Sequence, residues 1–212
     1  MLGKAVELHL DGTLVHTIPQ YRHTIIPVIV SRLGGRIPHP RSIDRFWFES
    51  HRDEVITRDF NLDPSEFWKV YNEIDTADGR ASHTYAYDDA APALQRLASM
   101  GKKISIITGA RALVAKKELA KLGSVTIHYL CSTTGRGFRE KPHPESLQHV
   151  LETLKVLPNE TLYVGNSNED AFFAKNAGVD FVYLERKQHE FDDTEWIGKT
   201  IHSLAEIFVS DR

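Results

Sequence analysis

Glu7, His9 and Asp11 alternate along a short apolar run, Lys4 to Leu14, that stops abruptly at Asp11-Gly12-Thr13. In an extended strand, residues two apart share a face, so an acid, an imidazole and a second acid are presented together. Three ionisable groups on one face of a central strand are costly unless they are paired or used. Further polar clusters stand where apolar runs end or helical patterns begin: Thr108-Gly109, Lys141-Pro142, and Gly165 to Asp170. If these converge, Thr108 and the amides at Gly109 donate to phosphate oxygens, Lys141 supplies a positive charge, and carboxylates hold a divalent cation. That combination is the chemistry of a phosphoryl-group site.

Convergence requires a scaffold, and the periodicity supplies one. The run ending at Leu10 reads as a buried strand that stops at a tight turn. From Asp88 onward the pattern alternates: helix 90–99, strand 103–107, helix 110–122, strand 125–130, helix 145–154, strand 161–164, helix 171–176 and strand 181–184. Strands alternating with helices predict an α/β fold, a doubly wound parallel sheet with right-handed crossovers. Ligands in such sheets bind at the carboxyl ends of the strands, where all these clusters fall. Residues 15–87 break the alternation. Ile25, Ile26, Val28, Ile29 and Leu33 recur at helical spacing, and Asp63-Pro64-Ser65-Glu66 reads as a capped helix start before Phe67, Trp68, Val70, Tyr71 and Ile74. The expected organisation is an α/β core of residues 1–14 and 88–212 around an all-helical insert of residues 15–87.

Composition narrows the function. With 26 Lys and Arg against 29 Asp and Glu, the net charge of -3 lacks the basic excess that a nucleic-acid surface needs. The single cysteine, Cys131, excludes an intrachain disulfide framework and reads as a buried packing residue. No run approaches the roughly 20 apolar residues of a membrane span, and no basic leader with a cleavage site stands at the start. A cytoplasmic protein without a nucleic-acid or membrane partner is expected. Arg22, His23, Arg45, His51 and Arg52 in the insert read as solvated faces, and Trp47, Phe67 and Trp68 as its core.

Asp11-Gly12-Thr13-Leu14, Thr108-Gly109, Lys141-Pro142 and Gly165-x-Ser167-x-x-Asp170 with Ala177-Gly178 together resemble the four motifs of the haloacid-dehalogenase-like superfamily. The helical insert resembles that superfamily's cap domain, and the layout is most similar to its phosphoglycolate-phosphatase-like branch. The resemblance implies two-step phosphoryl transfer on small phosphorylated metabolites. An Asp attacks phosphorus, a second Asp two residues later protonates the leaving group and then activates water, and magnesium is held between carboxylates. Carried onto this chain, Asp11 matches the acid/base, Thr108, Gly109 and Lys141 match the phosphate clamp, and Asp11, Asn166 and Asp170 fall at the metal positions. His9 stands where the nucleophilic Asp is expected, and Asn166 where an Asp ligand is expected.

Both departures remove negative charge from the magnesium site, because magnesium prefers hard anionic oxygens to imidazole. A weakened magnesium site, another divalent metal, or none is the resulting expectation. Three readings of His9 stay open: a degenerate site that binds a phosphorylated ligand or a partner without turnover, a catalytic imidazole acting as nucleophile with Glu7 orienting it, and a transition-metal ligand together with Asp170. Hydrolysis is accordingly expected to be weak or altered, with a silent binding or regulatory protein as the alternative.

Overall fold

A computed structural model of the chain describes residues 2–49, 51–188 and 198–209. In chain order its elements are β1 (Ala5–Leu8), β2 (Val15–Thr17), α1 (Pro19–Arg32), α2 (Pro40–Phe48), α3 (Arg52–Arg58), α4 (Pro64–Ile74), α5 (Ala77–Ser82), β3 (Thr84–Ala86), α6 (Ala90–Ser99) and β4 (Lys103–Thr108). There follow α7 (Ala112–Leu119), β5 (Tyr129–Ser132), α8 (Glu145–Leu154), β6 (Thr161–Gly165), α9 (Asn168–Ala177), β7 (Asp180–Leu184) and β8 (Lys199–Ile201). They form two compact units, residues 1–16 with 85–212, and residues 17–84.

The first unit is a parallel sheet in the order β5-β4-β1-β6-β7-β8. β1 is central and buried at every position, because β4 and β6 flank it and helices cover both faces. One face packs Val6, Leu8, Ile104, Ile106, Val164 and Leu184 against Leu94 and Leu97 of α6 and Ala115 of α7. The other sets Ala5, Ile107, Tyr163 and Phe181 against Leu147 and Val150 of α8 and Phe173 of α9. Glu7 pairs in register with Ser105 and Tyr163. It therefore belongs to this second, apolar face.

The expected α/β class and parallel sheet are both present, with differences at element ends. The predicted strand 125–130 forms only at Tyr129–Ser132. A strand exists where it has a partner, and this segment first meets β4 where His128 N donates to Ile104 O at 2.8 Å while Ile104 N donates to His128 Nδ1 at 3.0 Å. The helix expected over 171–176 begins at Asn168, since the Ser167 hydroxyl caps it by accepting from Asp170 N at 3.1 Å. That places Asp170 in the first turn. The helix over 110–122 starts at Ala112 and finishes as a 3-10 turn at Ala120–Leu122. β8 is too short to leave a periodic signal.

The second unit is helical from α1 to α5, but the stretch 15–87 is not all helix. β2 and β3 at its two ends pair as a two-stranded sheet, with the Thr17 and Thr84 hydroxyls 3.0 Å apart. Val15 and Thr17 on one side and Thr84 and Tyr85 on the other favour extended backbone, and no window of three residues carries periodicity. Its core gathers Ile26, Ile29, Phe46, Ile56, Phe60 and Phe67, with Trp47 and Trp68 at the margin. The Asp63 cap forms as read, accepting from Glu66 N at 3.1 Å.

Candidate active site

β1 hands the chain to His9, whose backbone N–H donates to Val164 O at 2.9 Å and fixes it against the end of β6. Beside it lies the ammonium of Lys141, a side chain only 5% exposed. Lys141 Nζ reaches His9 Nδ1 at 3.0 Å, Tyr163 Oη at 2.8 Å and Asp170 Oδ1 at 2.8 Å. The rings of Tyr163 and Phe173 border the same cation, with centroids 5.3 and 4.9 Å away. His9, Lys141 and Asp170, 132 and 29 residues apart in sequence, are thus brought into one contact group.

Asp170 is fully buried, and both of its oxygens accept from inside the protein. Oδ1 takes Lys141 and the Tyr163 hydroxyl, the latter at 3.1 Å, while Oδ2 takes Asn166 N at 3.1 Å and Ser167 Oγ at 3.0 Å. Burial pushes its carboxyl up, but His9 and the Lys141 ammonium beside it hold it well below the usual carboxylate range. Burial and the Asp170 carboxylate push the Tyr163 hydroxyl well above its ordinary value, so it remains a donor. Tyr163 had no place among the expected site residues. The available signal was a polar-tipped aromatic two positions before Gly165, on the strand face that Glu7 and His9 share.

After His9 the chain bends and turns. Leu10 O accepts from the amides of Thr13, Leu14 and Val15 at 3.2, 2.9 and 3.2 Å, and Gly12 N donates to Val15 O at 2.7 Å. Gly12 has φ +82°, and a Cβ there would overlap Asn166 Nδ2. Glycine is therefore required twice over, by conformation and by the side chain against it. β1 ends at Leu8, so strand alternation carries Glu7 and His9, whereas Asp11 lies in the turn and bridges to Val15. Asn166 is nearly buried, its carboxamide against Gly12 and its Oδ1 3.5 Å from Thr13 Oγ1. The oxygen donors at the metal positions implied by resemblance are thus Asp11 in the turn, the neutral Asn166 amide, and the internally bonded Asp170.

Thr108 ends β4, two residues past the pairing of Ile106 with Leu8, and Gly109 follows it. Their bonds run to the neighbouring loops. Thr108 Oγ1 accepts from Ala110 N at 3.1 Å, Thr108 O from Thr133 N at 2.9 Å, and Gly109 O from Thr134 Oγ1 at 2.6 Å. The Thr108 hydroxyl thereby keeps its proton to donate elsewhere.

Two further features were not foreseen. Arg186, after β7, grips Asp89 through both terminal nitrogens at 3.0 and 2.7 Å and donates to Thr13 O at 3.0 Å, tying the turn to the start of α6. Burial pushes the Asp89 carboxyl up, but Arg186 and the amide of Leu204 lower it overall. Glu7 is fully buried, and neither carboxyl oxygen has a hydrogen-bond partner among the described residues. Desolvation raises it to about 8, so near neutrality it is largely an uncharged acid.

The family model for haloacid dehalogenase-like hydrolases matches residues 9–184. The chain belongs to that family. Among haloacid dehalogenase-like relatives, the phosphoglycolate phosphatase of Neisseria gonorrhoeae is 27% identical, covering 97% of this chain and 92% of its own. A putative phosphoglycolate phosphatase from Lactobacillus plantarum shares the fold with a TM-score of 0.81 at 22% identity, over 98% of both chains. CbbY from Rhodobacter sphaeroides, solved with phosphate, does so at 0.76 and 15% identity, over 97% of this chain and 96% of its own. These likenesses support the phosphoglycolate-phosphatase-like branch and the phosphatase fold. Among the described residues no helix is long and apolar enough to cross a membrane.

Proposed function

We propose that this chain recognises small phosphorylated metabolites through His9, Asp11, Thr108, Gly109 and Lys141, and that hydrolysis by the family's two-step route is weak or altered. One observation carries the reading: the ring of His9, not a carboxylate, meets Lys141 at 3.0 Å at the nucleophile position. An aspartyl-phosphate intermediate needs a carboxylate oxygen there. Asp11 remains as a group able to move a proton, while Thr108 and the amides near Gly109 remain as donors to an anion. The relatives named for phosphoglycolate support a ligand of that size, and the place of action proposed with it is the cytoplasm.

The second reading, a silent binding or regulatory protein, is favoured by Asp170, whose oxygens are all engaged internally. Hydrolysis of an aryl phosphate, with and without magnesium, separates the two. Slow turnover that Asp11→Asn abolishes supports the altered enzyme. Complete silence of the unmodified protein, with phosphate still bound, supports the binding protein, and family-typical turnover overturns the weakened chemistry.

A further inference from the structure

We infer that His9 meets its ligand as an N–H donor, not as a nucleophile or metal ligand, and that the Lys141–His9 pair holds a phosphate group without a metal ion. The inference rests on the proposed phosphate site and adds how the anion is held there.

The argument is a count of protons and lone pairs. A lysine ammonium has three N–H bonds and no acceptor, and Lys141 spends them on His9 Nδ1, Tyr163 Oη and Asp170 Oδ1. His9 Nδ1 therefore accepts, and a neutral imidazole unprotonated at Nδ1 carries its proton at Nε2. A proton on Nδ1 would instead point at the ammonium 3.0 Å away, while Asp170 Oδ1 stands farther off at 3.4 Å, so the contact with Lys141 fixes Nδ1 as the acceptor. Attack on phosphorus needs a lone pair on the attacking nitrogen, and the tautomer that accepts from Lys141 at Nδ1 has none at Nε2.

Nε2 has no hydrogen-bond partner among the described residues, and the side chain is 18% exposed. It is the donor this contact group can offer outward, since Lys141 has no N–H left for a ligand. Accepting a bond from an ammonium polarises the imidazole and strengthens donation from its other nitrogen. The positive charge of Lys141 thus reaches a phosphate oxygen through His9.

The metal positions do not fit magnesium. A carboxylate offers about four lone-pair sites, and Asp170 already accepts four hydrogen bonds. Asn166 brings a neutral amide packed on Gly12, which leaves Asp11 as the single remaining carboxylate at these positions. A phosphate held by N–H and O–H donors has no need of the ion.

The test uses the intact protein with 15N-labelled histidine and inorganic phosphate as the probe, in EDTA and in magnesium. Long-range 1H–15N spectra should show Nδ1 of His9 unprotonated and Nε2 protonated, with the Nε2 resonance moved by phosphate in EDTA. His9→Gln, which keeps an N–H near the Nε2 position, should retain affinity within about threefold, whereas His9→Leu should lose about tenfold or more. An unprotonated Nε2, or phosphate binding that requires magnesium, overturns the inference while the proposed phosphate site stands. Absence of phosphate binding in both media overturns the proposed site, and this inference with it.

Discussion

Lys141 Nζ and Asp170 Oδ1 lie 2.8 Å apart, with their side chains 5% and 0% exposed. A pair so buried is costly to break from one side, because the surviving charge keeps its desolvation penalty without its partner. Asp170→Asn should therefore lose about 3–5 kcal/mol of stability in urea denaturation at neutral pH. Its carboxyl is held below its ordinary range, so the stability it supplies is present above the unfolded value and lost as pH falls through the folded one. The acid side of the stability profile should flatten in the variant. Equal stability of the two proteins at pH 7 would refute the pairing.

Glu7 works in the opposite sense. Its folded value of about 8 lies above the unfolded 4.5, so between those values the unfolded chain releases a proton that the folded chain keeps. The contribution of Glu7 is thus complete below about pH 4.5 and is lost progressively as pH rises from there to about 8. Glu7→Gln, neutral at all pH, should remove this decline and raise stability at pH 8 by about 1 kcal/mol or more. Denaturant midpoints at pH 5 and pH 8 for both proteins decide it. A steeper fall in the variant would mean that Glu7 is charged and paired.

Gly12 is placed where a side chain is barred by both its φ of +82° and Asn166. Gly12→Ala should cost about 2 kcal/mol or more, combining left-handed strain with displacement of the carboxamide. In the Asn166→Ala background the same change should cost only about 1 kcal/mol, since the backbone penalty alone remains. A double-mutant cycle in thermal or chemical denaturation measures the difference, and strict additivity would count against the contact.

Arg186 binds Asp89 with a planar fork and Thr13 O with one nitrogen of that fork. A lysine ammonium cannot reproduce that geometry. Arg186→Lys should destabilise by about 1–3 kcal/mol, and amide exchange at Thr13 and Leu14 should quicken as the turn loses its tether. Unchanged exchange in the turn would show that Arg186 supports α6 alone.

The motifs and the sheet were legible in the sequence for local reasons. β-branched runs ending at Gly, Asn or Thr, separated by amphipathic helices, fix where strands stop, and a parallel sheet then brings those stops to one edge. Shorter features escaped because three residues carry no period. β2, β3 and β8 are strands through their partners, and Tyr129–Ser132 is a strand where β4 accepts it. The start of α9 was legible in principle, since Ser167 stands three residues before Asp170 and caps it.

By itself the sequence determined the family, the α/β class and the departure from the family pattern at His9 and Asn166, because these are matters of residue type at fixed spacing. Tertiary structure alone decided how those side chains are used. Whether Lys141 faces a ligand or spends its three protons inside, whether Asp170 offers lone pairs or has them filled, and whether Glu7 meets a base or an apolar face all depend on which atoms lie within about 3 Å. Hydrogen-bond capacity is written in the sequence, but its allocation is set by residues as distant as His9 and Lys141, 132 positions apart, and only packing brings them together.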